Sequence, residues 1–206
     1  MKISVLLYIL GLVFVLTAGV RGKCRKEHFA QRLGRYPDAW RILRNTTQQY
    51  FLAYYSYRSE IGSRQRCLRT ISRREDYAKP WTTSLVYGLT WDNSTLLSGI
   101  VQVGIHKTNE SFVFDDAFYT RYPEKVNDKY TLKFDTSEII YTNFKTCIVI
   151  YSKLLGYQVW IAGQNPTGTS GLPYLCTFVY EACAGPNKNW AYDWEICPKI
   201  KPIQRS

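Results

Sequence analysis

Apolar and polar positions alternate with a period of two over several short stretches of this chain, most clearly over residues 49–59. There Tyr50, Leu52, Tyr54 and Ser56 fall on one face, and Phe51, Ala53, Tyr55 and Tyr57 on the other. A two-residue period rich in aromatics marks a strand with both faces in use. Further strand patterns cover 66–72, 82–91, 96–106, 112–122 and 129–134, with turns expected at 92–94 and 123–128. The strongest pattern lies in the C-terminal third. Glu138-Ile139-Ile140-Tyr141 leads to Cys147-Ile148-Val149-Ile150-Tyr151, and a polar turn at 152–156 leads on to Tyr157-Gln158-Val159-Trp160-Ile161. Two β-rich runs joined by turn residues predict an antiparallel hairpin.

Helical signals are fewer. Pro37-Asp38-Ala39-Trp40 opens a short helix through Leu43, because Pro and Asp suit a first turn. Trp40 and Leu43 share a face of that helix and are expected in the core. Residues 174–184 predict a second helix, with Cys176 and Cys183 near one face. Residues 23–34 form a basic, loosely patterned arm, and 198–206 a basic, loose tail. About eight strands at regular spacing predict an all-β sandwich or up-and-down barrel, one domain over 23–206. An eight-stranded barrel has room for one small ligand.

Composition adds a compartment. Met1-Lys2, an apolar run over 3–16 and small residues at Ala18 and Gly19 predict a signal peptide over 1–22. The run is shorter than the ~20 apolar residues that a membrane-spanning helix needs. A secreted, extracellular protein with no membrane partner is therefore expected. Six cysteines (Cys24, Cys67, Cys147, Cys176, Cys183 and Cys197) fit a disulfide framework, and six allow fifteen connectivities. With His28 and His106 as the two histidines, no metal site is expected. Sequons at Asn45, Asn93 and Asn109 agree with secretion.

Charge and chemistry narrow the function. The chain carries a net charge of +11. Such a surface attracts anionic partners, heparin-like glycans among them. Arg64, Arg66, Arg69, Arg73 and Arg74 are not interleaved as in a nucleic-acid motif, so no nucleic acid is expected. No nucleophile, serine or carboxylate motif stands out, so neither an enzyme nor a cofactor is expected.

Taken together, the order of these motifs resembles the tick salivary lipocalin family of the histamine-binding type. The resemblance rests on Asp38-Ala39-Trp40 before a Tyr-rich strand, and on Tyr57-Arg58-Ser59-Glu60 at that strand's end. It rests also on a lone Cys67 in the second strand, on Cys147-Ile148-Val149-Ile150-Tyr151, on Gly156-Tyr157-Gln158-Val159-Trp160, and on the Cys176-to-Cys183 helix. It implies an eight-stranded antiparallel lipocalin barrel with a short N-terminal and a C-terminal helix. It implies pairings of Cys67 with Cys197 and Cys147 with Cys176, which leaves Cys24 for Cys183. It further implies a secreted salivary protein, a monomer, that sequesters a small host inflammatory mediator.

The ligand set that the resemblance carries over is Tyr57, Glu60, Phe118, Glu138, Gln158 and Trp160. Amine-binding members have a glutamate where this chain has Gln158, which keeps the shape and loses the charge. A biogenic amine and an acidic lipid such as a leukotriene or fatty acid therefore both stand as expected ligands. For Glu60 and Glu138 an outward, solvated position competes with a pocket role. The alternative function is a protein-binding lipocalin that inhibits a host defence or clotting protein through its loops and basic surface.

Overall fold

The computed structural model describes residues 24–57, 65–73, 81–90, 95–126, 129–163 and 172–200. The expected signal peptide, Glu60, Asn93 and the last six residues lie outside the described residues. Eight antiparallel strands form the barrel: β1 (Gln49–Tyr55), β2 (Gln65–Arg73), β3 (Trp81–Thr90), β4 (Leu96–His106), β5 (Ala117–Val126), β6 (Lys129–Thr142), β7 (Cys147–Ser152) and β8 (Gly156–Ala162). Each pairs with its sequence neighbour from β2 to β8, and β1 pairs with both β8 and β2, which closes the sheet. Closure leaves no free barrel edge and gives every strand an inner and an outer face.

Among the described residues three helices bear on the barrel: α1 (Lys26–Leu33), α2 (Ala39–Leu43) and α3 (Tyr174–Ala184). Helix α1 corrects the expectation of a loose arm. Its apolar side is brief, since Phe29, Ala30 and Leu33 sit among charged residues, and Phe29 and Leu33 gain their packing only against the core. Gly34 ends it in the left-handed conformation, φ 62°, and Arg35 N–H bonds back to Ala30. In α2 the Asp38 carboxylate caps Arg41 N–H at 2.9 Å. Ile42 and Leu43 are buried, whereas Trp40 is only half-buried. The expected core pairing of Trp40 with Leu43 thus gives way to Ile42 with Leu43.

Bulges in β1 and β2, with a third in β6 between Ile139 and Tyr141, decide which side chains face inward. Between Leu52 and Tyr54 the β1–β8 register shifts: Leu52 opposes Trp160 and Tyr54 opposes Val159, so Ala53 is the extra residue. Tyr54 therefore points outward, stacked edge-on against Tyr180 of α3 at 4.8 Å with its hydroxyl 3.1 Å from Thr177. The single alternation read from the sequence, with Tyr54 beside Tyr50 and Leu52, breaks here. The second bulge is at Cys67, φ 56°, where the β2–β3 register shifts. Beyond Phe51 and Arg69, β1 and β2 separate, and a C-terminal segment enters the gap. In it β9 (Asn189–Trp190) pairs with β1, Ala191 N–H bonds to Ala53, and Cys67 N–H bonds to Ala191. Neither this strand nor the 3-10 turn at Cys197–Lys199 is visible as a pattern in the sequence.

Strand β6 runs unbroken through 135–137, where the sequence pattern suggests a gap, and β5 continues through Pro123. The β4–β5 ladder stops at Gln102–Arg121, so Pro123 has a neighbour on the β6 side alone, and a missing N–H is tolerated there. Three disulfides join Cys24 to Cys183, Cys67 to Cys197 and Cys147 to Cys176. Two of them fasten α3, whose Val179 and Tyr180 are fully buried against Tyr54, Val149 and Val159. The third fastens the C-terminal segment into the β1–β2 gap.

Removing that third bridge in Cys67→Ala/Cys197→Ala opens a loop of 130 residues in sequence. The expected loss is about 4–5 kcal/mol of unfolding free energy, read from denaturant titration of the parent and variant. A loss under ~1 kcal/mol would show that the segment holds its place without the bridge.

Candidate functional site

Inside the barrel is a cavity of about 300 Å³. Ile42 and Leu43 of α2 close one end, and Leu154 and Leu155 on the β7–β8 turn line the other. Its size stands at the lower limit for small-molecule sites, which suits a ligand of modest size. Strand alternation supplies the wall. From β6 come Asp135 and Ser137; from β5, Phe118 and Thr120; from β8, Gln158 and Trp160. Strands β2 and β3 contribute Thr70, Ser72 and Ser84, and Val86, Val101 and Val103 make an apolar panel.

Asp135 carries the electrostatics of this site. Among the described lining residues it is the one carboxylate, and none is Lys, Arg or His. Burial pushes its carboxyl above the ordinary value, because a dry wall penalises the charged form. The Thr136 backbone N–H and the Lys153 charge oppose that shift only partly. Tyr50, also lining the cavity, is pushed up by burial to about 12, so its hydroxyl stays neutral. Thr70, Ser72, Ser84, Thr120 and Ser137 line the cavity with no side-chain partner among the described residues. Among the described lining residues the wall therefore offers one carboxylate, several open hydroxyls and three aromatic side chains.

Gln158 is differently employed. Its Nε2 donates to Ser152 Oγ at 2.9 Å, and its Oε1 accepts from Trp160 Nε1 at 3.1 Å. The amide is 3% exposed and holds the indole in place rather than facing the cavity with unused polar atoms. A buried amide bonded at both ends fixes its neighbour's rotamer at little net cost.

Of the residues anticipated for the site, Phe118, Gln158 and Trp160 converge on the cavity. Two others require correction. Glu138 lies on the outer face of β6, where its carboxylate is 3.2 Å from Lys26 Nζ of α1. Lys26 also bonds Asp116 and Thr108. With β6 continuous, Glu138 has the opposite parity to Asp135 and Ser137, so the inward acid is Asp135. Tyr57 follows the end of β1 and is 60% exposed, outside the cavity lining. Asp135 was missed because the sequence pattern ends a strand at Phe134. The available signal was Ile139, an apolar position with the parity of 135 and 137 that is buried at the inner end of the barrel.

The family described as tick histamine binding protein matches residues 28–199. A solved structure of AM182 in complex with serotonin superposes with a TM-score of 0.54 at 13% identity, covering 80% of this chain and 94% of that one. The cockroach allergen Per a 4 superposes with a TM-score of 0.48 at 8% identity, over 77% of this chain and 90% of that one. No curated protein matches the sequence. At 13% identity the likeness to the serotonin complex shows a shared fold.

The raised carboxyl of Asp135 has a definite sign in stability. Its folded pKa lies above its unfolded one, so the empty barrel binds the extra proton and loses stability as pH rises through that window. Asp135→Asn is therefore expected to melt higher than the parent at pH 7. The difference should vanish below the ordinary carboxyl range, which thermal melts across pH would read. A variant that melts lower at pH 7 would mean that the carboxylate has a stabilising partner.

Proposed function

This chain belongs to the tick histamine-binding protein family, and from that membership and the cavity chemistry we propose that it is a secreted lipocalin sequestering a small cationic amine. The inward carboxylate of Asp135, the one acid among the described lining residues, carries this reading. A desolvated ammonium needs an opposite charge beside it, and an aromatic face adds a cation–π contribution. Asp135 supplies the charge, Thr120 and Ser137 on the same wall supply hydrogen-bonding oxygens, and Trp160 and Phe118 supply the faces. A carboxylate ligand, such as a leukotriene or fatty acid, would share the cavity with Asp135 and meet no cation among the described lining residues. That places two like charges in a dry space, so the amine is favoured over the acidic lipid. The open hydroxyls favour an amine that carries further hydrogen-bonding groups, as histamine and serotonin do.

Secretion is supported by three disulfides, which persist in oxidising compartments. Among the described residues no helix is long and apolar enough to cross a membrane. Asn45 and Asn109 lie exposed in their sequons and would accept glycans there.

Isothermal titration with histamine, serotonin and a long-chain fatty acid tests the proposal. One amine is expected to bind at one site per chain, and Asp135→Asn to weaken it by about 10- to 100-fold, the worth of a charge-assisted hydrogen bond. Tight fatty-acid binding that Asp135→Asn leaves unchanged or improves would overturn it. Gln158→Glu adds a second carboxylate to the wall, and amine affinity is expected to rise. An unchanged affinity would mean that the ammonium never approaches β8.

A further inference from the structure

We propose that the α2 end of the barrel carries a second binding site, for a sulfated polysaccharide chain, built on Arg35, Arg41 and Lys145. Three observations converge there. First, the charge is concentrated and unneutralised. Arg32, Arg35, Arg41, Arg44 and Lys145 are all exposed, and none forms an ion pair among the described residues. Asp38, which lies between Arg35 and Arg41 in sequence, is already employed as the cap of the Arg41 backbone N–H.

Second, the arginines are held. Arg35 Nη1 donates to the Asn143 carbonyl at 3.3 Å, and the Arg41 guanidinium lies 4.2 Å from the centre of the Phe144 ring. Both therefore rest on the same β6–β7 turn that presents Lys145. That turn is itself firmly built: Asn143 Oδ1 accepts from the N–H groups of Lys145, Thr146 and Cys147, and Phe144 adopts φ 59°. Fixing guanidinium groups in advance lowers the entropy lost when a partner binds, and planar guanidinium suits oxyanion recognition. A scattered solvated surface has no such anchoring.

Third, the position is separate from the cavity contents. The turn joins β6 to β7 at the end that Ile42 and Leu43 close, opposite Leu154 and Leu155. A polyanion lying there would leave the cavity's other end untouched, so this site does not depend on what the cavity holds. Repeated anions along a flexible chain match a cluster of like charges better than a single small anion, because several cations release their counterions together.

The test uses the disulfide-bonded protein, freed enzymatically of any N-linked glycan, with a heparin decasaccharide as probe. Arg35→Gln/Arg41→Gln/Lys145→Gln is compared with Arg25→Gln/Lys153→Gln/Lys199→Gln, which removes the same charge at exposed cations away from the turn. At about 0.15 M salt, where charges beyond ~8 Å are screened, the first triple is expected to weaken binding by at least about tenfold and the second by less than about twofold. Thermal melts establish that both triples fold. Equal weakening by both triples would mean net charge alone, and would overturn the site. So would a parent that fails to bind the decasaccharide, or one that binds duplex DNA or anionic phospholipid vesicles as tightly.

Discussion

Closure of the sheet at the β1–β2 pair is the constraint on which everything else in this molecule depends. Among the described residues three pairs, Gln49–Ile71, Tyr50–Thr70 and Phe51–Arg69, join those strands directly. Past them the chain's own C-terminal segment completes the seam, pairing with β1 on one side and receiving Cys67 N–H on the other. Backbone groups buried in that seam would otherwise lack partners, at a cost comparable to several hydrogen bonds. Arg69 and Phe51 show how tightly the seam is covered. The guanidinium, 2% exposed, reaches the Ile200 carbonyl at 3.1 Å and lies over the Phe51 ring. Phe51 in turn meets Tyr192 edge-on.

Once the sheet is closed, inside and outside become two different solvents. The outer face between β1 and β6–β8 is covered by α3 and α1 and packs densely, with Tyr54, Val149, Val159 and Val179 among its fully buried residues. The inner face keeps a void, because Val, Ser and Thr on β2–β4 are too short to meet the opposite wall. Asp135 faces that void with no ion-pair partner among the described residues, and its raised pKa is the physical signature of that exposure to a dry space. An inward charge of this kind is destabilising for the empty fold and useful for a cationic ligand, a common trade at binding sites. Gln158 and Ser152 make the complementary choice: polar, buried and satisfied within the protein, they set the Trp160 indole.

The contrast between Asp135 and Glu138 shows how local the decision is. Three residues apart on one strand, they take opposite faces. Glu138 joins Lys26, Asp116 and Thr108 in a partly buried network that ties α1 and the segment before β5 to the barrel's exterior. Its work is to hold α1, and α1 leads the chain to Arg35 and the cationic turn beyond.

By itself the sequence determined the strands and their hairpin, the short helix opened by Asp38 and the cysteine-bearing helix at 174–184; the choice of barrel and the shared interior of Phe118, Gln158 and Trp160 were carried by family likeness, not by pattern. The strands and their hairpin follow from period-two patterning and turn chemistry, which are local. The disulfide pairings came from family likeness, since six cysteines alone leave fifteen choices. Only the tertiary structure decided the phase of the alternation. A bulge at Ala53 turns Tyr54 outward, and an unbroken β6 turns Asp135 inward and Glu138 out, because one residue's displacement in a strand exchanges its faces. Helix α1 and strand β9 likewise exist by virtue of what they pack against: neither carries enough apolar or backbone-pairing capacity of its own to form without the closed barrel.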